Sequence, residues 1–184
     1  MRNIFISALL VAAAAPGVGL AEGSAPDDKV RRGEYLVNTS ACHDCHTPLK
    51  MGENGPEPDM DRMLSGHPED VVITEGASLA RPWAAAVSTT NTAWSGPWGV
   101  SFTANLTPDP ETGVLRDYSE AQFIAALRTG RHLGQGRQIL PPMPWPVYGQ
   151  MSDEDLGAVF AYLRQIPAIR NRTPAPLPPV APAY

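Results

Sequence analysis

The sequence predicts a mainly α-helical domain, exported from the cytoplasm and interrupted by a long irregular insertion. Three observations carry this. An apolar leader opens the chain. Three later segments repeat apolar residues at helical spacing between recognisable start and stop signals. Between the first and second of them lies a stretch rich in Gly, Pro and Thr, from Pro48 to Tyr118, which reads poorly as either helix or strand.

Arg2 and the apolar run Ile4 to Ala15 are followed by Pro16-Gly17 and by the small residues Gly19-Leu20-Ala21. That is the pattern of a cleaved secretory signal peptide, residues 1–21. The run is short of the roughly 20 apolar residues that span a bilayer. No later segment approaches that length, so no stable membrane insertion is expected. Beyond residue 21 the chain carries 13 basic and 19 acidic side chains, a net charge of −6. This balance disfavours nucleic acid and anionic lipid as partners and favours a docking partner with a basic face.

Asp27-Asp28 followed by KVRRGEYLVNTSA predicts the first helix, with Val30, Leu36 and Val37 inward. Gly33 in its middle costs about 1 kcal/mol against alanine, so another helix is expected to approach there. SEAQFIAALRTG predicts the second helix. Ser119 and Gln122 form its capping box, Phe123, Ala126 and Leu127 its stripe, and Gly130 its stop. MSDEDLGAVFAYLRQIP predicts the third. Ser152 caps it, Leu156, Val159, Phe160 and Leu163 face inward, and Pro167 ends it. In the insertion, Val71-Val72-Ile73-Thr74 is strand-like, and Trp83, Trp94 and Trp98 are expected to pack in core or loops. TPAPLPPVAPAY, residues 173–184, is a proline-rich tail expected to be extended and mobile.

The chemistry concentrates in ACHDCHTP, which holds the chain's two cysteines, Cys42 and Cys45, and His46 directly after them. A disulfide across three residues staples nothing, and two thiols do not make a four-thiolate zinc site. A redox dithiol wants a βαβ setting that is missing here. Cys-x-x-Cys-His is the attachment signature of c-type haem. Two thiols one helical turn apart match the two vinyl groups of one porphyrin edge, and the next residue's imidazole reaches the iron. Cys42 and Cys45 are thus expected to carry one covalent haem c, with His46 as axial ligand. His43 and Asp44 need no role. Export agrees, because c-type haem is attached outside the cytoplasm.

The second axial ligand is sought among the methionines and the remaining histidines. Met143 stands out in ILPPMPWPVY, where Pro141, Pro142, Pro144 and Pro146 stiffen the backbone. A thioether is a weak ligand, and holding it in advance spares about 1–2 kcal/mol per residue otherwise ordered on ligation. Met151 ranks second and His132, in TGRHLGQG, third. No phosphate loop, Ser/His/Asp set or supported carboxylate pair appears, so no catalytic residue is assigned.

The order of helix, CHDCH, middle helix, proline-flanked methionine and terminal helix resembles a class I c-type cytochrome. The stretch NLTPDPETG, PPMPW and the segment MSDEDLGAVFAYLRQIP bring it closer to bacterial periplasmic cytochromes, including the cytochrome subunits of alcohol and aldehyde dehydrogenases. The resemblance covers residues 28 to 170. It implies a cytochrome c fold, whose first and last helices cross near the haem; the single CHDCH motif means one haem, in a domain of residues 22–172. It implies Cys42 and Cys45 as attachment points, His46 and Met143 as iron ligands, and Gly33 meeting Phe160 or Tyr162 of the terminal helix. It also implies a carbonyl accepting the other His46 N–H, for which Pro56 is the first choice. Arg137 and Trp145 are candidates for hydrogen bonds to a haem propionate. The function expected is non-enzymatic electron transfer in the periplasm, to and from redox proteins such as a dehydrogenase or a terminal oxidase chain. A dehydrogenase subunit and a haem enzyme or gas sensor with a labile sixth ligand are the alternatives.

Overall fold

The structure, a computed structural model, describes residues 25–179. The expected signal peptide lies outside them. Five α-helices occur among the described residues: α1 (Ala25–Thr39), α2 (Cys42–His46), α3 (Glu120–Thr129), α4 (Trp145–Tyr148) and α5 (Asp153–Leu163). Two small antiparallel sheets fill the insertion. One pairs β1 (Leu49–Gly52) with β2 (Gly55–Pro58), and the other orders β3 (Ala86–Val87), β4 (Ala93–Gly96) and β5 (Gly99–Phe102). No helix among the described residues is long and apolar enough to cross a membrane.

Helices α3 and α5 start and stop where local chemistry demands. Ser119 accepts from the Gln122 N–H while Gln122 accepts from the Ser119 N–H, and Gly130 closes α3 in the left-handed region at φ 66°. Ser152 accepts from the Asp155 N–H to open α5. That helix stops at Leu163, four residues before Pro167. Between α1 and α2 the chain turns at Ala41, whose φ is 59°.

Helices α1 and α5 cross, and α3 packs on α5. The core is Leu36 and Val37 from α1, Phe123 and Leu127 from α3, and Leu156, Val159 and Leu163 from α5. The cost of Gly33 is explained at the crossing. A methyl group there would stand 2.0 Å from the Ala158 carbonyl oxygen and 2.8 Å from Tyr162 Cβ. Of the two aromatics expected at Gly33, it is Tyr162 that meets it. Phe160 turns instead toward Phe123, with ring centroids 5.4 Å apart.

The insertion departs from expectation in several places. Val71 to Thr74 is not a strand. A strand needs a partner for its backbone groups, and the Val71 carbonyl is already taken by His67 Nε2 at 2.8 Å. Trp83 is 73% exposed rather than packed. Trp98 does pack, its ring over Gly96 and its indole N–H donating to Ser101 Oγ. Beside apolar residues such as Leu64, Val100 and Leu115, the insertion buries many polar groups. Asn105, wholly buried, donates to the Ile169 carbonyl and to Thr112, and accepts from the Thr107 N–H and hydroxyl. Asn171 closes the same knot by donating to the Ser65 and His67 carbonyls. Segment 64–67 is thereby tied to the chain after α5.

The proline-rich tail is extended up to residue 179, but it is docked rather than free. Leu177 exchanges two backbone hydrogen bonds with Val100 of β5, at 3.1 and 2.9 Å. The contact is close enough that a side chain on Gly99 would collide with the Leu177 carbonyl.

Candidate cofactor site

Where the helical core meets the insertion, a large apolar pocket opens, with ≈ 1360 Å³ of atom-free space including its mouth. It collects Cys42, Cys45 and His46 from α2, Ser101 to Ala104 after β5, and the proline loop holding Met143. The core supplies its back wall. Met151 and His132, second and third as distal ligands, also line it, as does Arg137. Trp145 does not. Its ring covers Gly130, where any Cβ would be 2.3 Å from it.

Helix α2 sets the two thiols one turn apart on the pocket wall. Both are free thiols. Burial pushes Cys42 up to about 11 and raises Cys45 as well, with a smaller contribution from the Asp44 charge. A redox-active dithiol needs the opposite, a thiolate favoured at neutral pH. Both cysteines face a pocket whose lining is mostly apolar.

His46 is held from its far side. Its Nδ1 donates to the Ala104 carbonyl at 2.8 Å, because a carbonyl can only accept. The proton on Nδ1 leaves the Nε2 lone pair free. Burial lowers the pKa of His46, chiefly by desolvation, which keeps that lone pair available. Pro56 is not the acceptor. It sits on the exposed β1–β2 hairpin, paired across to Met51. The Ala104 carbonyl is placed by its neighbours: the Gly66 N–H donates to the His46 carbonyl at 2.8 Å, and the His67 N–H to Thr103 at 3.0 Å. Gly66, at φ +78°, lies so close to Thr103 and Ala104 that no side chain fits. His67 itself is a wholly buried structural residue bonded to Thr92 and Val71.

The proline loop is anchored to the insertion. Ser101 Oγ donates to the Pro141 carbonyl at 2.5 Å. Tyr148 of α4 donates to the Ser40 carbonyl at 2.5 Å, tying the chain after Met143 to the turn before α2. The Ala104 carbonyl and Tyr148 were beyond reach of sequence reasoning. A backbone acceptor has no residue signature, and Tyr148 finds its partner 108 positions away.

No protein-family model matches the chain. It is similar to the cytochrome c subunit of gluconate 2-dehydrogenase from Pantoea cypripedii, 32% identical over 143 residues, 78% of this chain and 24% of the relative. The cytochrome c subunit of a quinone-type alcohol dehydrogenase from Gluconobacter oxydans is 27% identical over 148 residues, 79% of this chain and 23% of the relative. The fructose dehydrogenase cytochrome subunit of Gluconobacter japonicus is 28% identical over 159 residues, 84% and 26% respectively. The chain thus resembles the cytochrome c subunits of dehydrogenases. It spans about a quarter of the length of these curated relatives.

Proposed function

We propose that the chain is a periplasmic electron-transfer protein of the cytochrome c fold, mainly α, carrying one covalent haem c between His46 and Met143. The observation that carries this is one apolar pocket lined by two thiols a helical turn apart, an imidazole with its Nε2 lone pair free, and a thioether on a proline-stiffened loop. The donor set fits the group. Cys42 and Cys45 would hold it covalently, and His46 and Met143 would take the two axial positions of its iron. The group supplies a one-electron couple. The chain's own residues exclude water from it, hold His46 through Ala104, and hold Met143 between Pro141 and Pro144. With His46 and Met143 both ligating, the iron would have no open position for a substrate, and the chain would act as a carrier rather than a catalyst. The leader, residues 1–21, would direct export, and the mature charge of −6 suits a partner with a basic face.

Similarity to dehydrogenase cytochrome subunits favours a periplasmic dehydrogenase as electron donor, with the chain either bound as a subunit or acting as a free carrier. A gas-sensing or enzymatic role needs an open sixth position, which the proline loop opposes. The experiment is an intact mass and absorption spectrum of the native protein and of Met143→Ala. The expected result is one haem adduct, a methionine–iron charge-transfer band in the oxidised state, and loss of that band with binding of exogenous ligands in Met143→Ala. A chain without a haem adduct, or a band lost in Met151→Ala and kept in Met143→Ala, refutes the assignment.

A further inference from the structure

We infer that Tyr118, His132 and Arg137 form a carboxylate-binding cluster at the mouth of the pocket, taking the propionates of the haem. The inference rests on the haem reading above and adds the residues that receive its acidic end.

The pocket is apolar, and Arg137 is the single charged side chain among its described lining residues; no carboxylate lines it. Arg137 is exposed, so it stands at the mouth of the cavity, where a guanidinium can receive a carboxylate in a charge-assisted hydrogen bond. Among the described residues, the Arg137 side chain makes one hydrogen bond, a 3.3 Å contact to the neighbouring Gln138 carbonyl, and no ion pair. Its remaining donors are uncommitted.

His132 is brought beside it by a short antiparallel loop. Arg131 bridges to Gln138, the His132 N–H donates to the Arg137 carbonyl at 3.0 Å, and the Ile139 N–H donates to Gly130 at 2.8 Å. The tautomer of His132 follows from Tyr118. The Tyr118 hydroxyl oxygen accepts from the Leu133 N–H at 3.0 Å, and His132 Nδ1, at 3.2 Å, is the one acceptor within reach of its proton among the described residues. With Nδ1 accepting, the ring proton sits on Nε2. The pocket thus holds two imidazoles of opposite polarity. His46 donates from Nδ1 and keeps a lone pair on Nε2, suited to a metal; His132 accepts at Nδ1 and keeps an N–H on Nε2, suited to a carboxylate. Burial and the Arg137 charge lower the pKa of His132, so this neutral donor form persists.

The test uses the native haem protein and the variants Arg137→Gln, His132→Leu, His132→Gln and Arg131→Gln. The haem carboxylate bands are read in the reduced-minus-oxidised infrared difference spectrum, together with the reduction potential. Arg137→Gln and His132→Leu are expected to shift the carboxylate bands and lower the potential, since removing a cation or donor leaves the propionate charge less compensated. His132→Gln, whose amide N–H reaches the same place, is expected to stay near wild type. Arg131→Gln, a cation of the same loop that does not line the pocket, is expected to leave the bands in place. Unchanged bands and potential in all variants, with haem still attached and the methionine–iron band present, overturn the cluster and leave the carrier reading standing. If His132→Leu abolishes the methionine–iron band, His132 positions the methionine loop rather than a propionate and the cluster is wrong. Absence of a haem adduct in the wild type overturns both readings.

Discussion

The helical core and the insertion bury different chemistry. Around α1, α3 and α5 the hidden side chains are apolar, Leu36, Val37, Phe123, Leu156 and Leu163 among them. In the insertion and its flanks they include Thr47, His67, Thr92, Asn105, Thr107 and Thr112. The two regions therefore fail differently. An apolar core is held by area removed from water, about 1.5–3 kcal/mol for each large side chain, and tolerates exchange for residues of similar volume. A hydrogen-bonded interior gains little per bond but loses about 1–3 kcal/mol for each buried group left without a partner. The pocket lies between the two. One wall is apolar and insensitive to direction, and the other aims the Ala104 carbonyl at His46.

Asn105→Leu is the severest way to break this contrast. Leucine keeps the branched four-atom skeleton, though it is bulkier, while the bonds to Thr107, Thr112 and Ile169 vanish. An expected loss of about 3 kcal/mol or more in chemical denaturation follows from the several groups orphaned. A loss under about 1 kcal/mol would show that the insertion is held by area after all.

Gly33→Ala tests the one place where the helical core is limited by shape. Its methyl group would meet a backbone carbonyl, which cannot rotate away, so α1 and α5 must part. The expected cost is about 2–3 kcal/mol, read by the same denaturation. Leu156→Met should cost less than about 1.5 kcal/mol, because a wholly apolar site accepts a flexible side chain of like volume.

The smallest expected effect is on acid stability. Desolvation lowers the pKa of His67 below its ordinary value of 6.5, against opposing contributions from the Val71 carbonyl and Asp70. The unfolded chain then binds more protons than the folded one below that value. Stability is full above about pH 6.5 and declines as pH falls through the interval down to the lowered folded-state pKa. Thermal midpoints taken from pH 7.5 to 5 should fall, and His67→Gln should flatten part of that fall. An unchanged slope in the variant would assign the acid sensitivity to other groups.

The helices were legible because their signals are short-range. A Ser–Gln capping box spans three residues, and an apolar stripe repeats every three or four. The insertion was not, because nothing in Val71 to Thr74 announces that His67 will claim the Val71 carbonyl. Likewise Trp83 carries the same apolar ring as Trp98, yet only the latter finds a glycine and a serine hydroxyl to pack on and bond to.

The same division runs through the site. The placement of Cys42, Cys45 and His46 within one helical turn is a property of five consecutive residues, so the sequence by itself determined it. The stiffness around Met143 belongs to its own prolines in the same way. Which carbonyl accepts from His46 was decided only by the tertiary structure. Ala104 lies 58 positions away, and it is brought in by Gly66 passing through a gap too narrow for any Cβ. The tautomer of His132 is equally non-local in origin, since it depends on Tyr118 reaching across from before α3. Spacing along a helix follows from fixed backbone geometry, whereas a long-range acceptor exists only once closing the loop between the two positions has been offset by packing elsewhere.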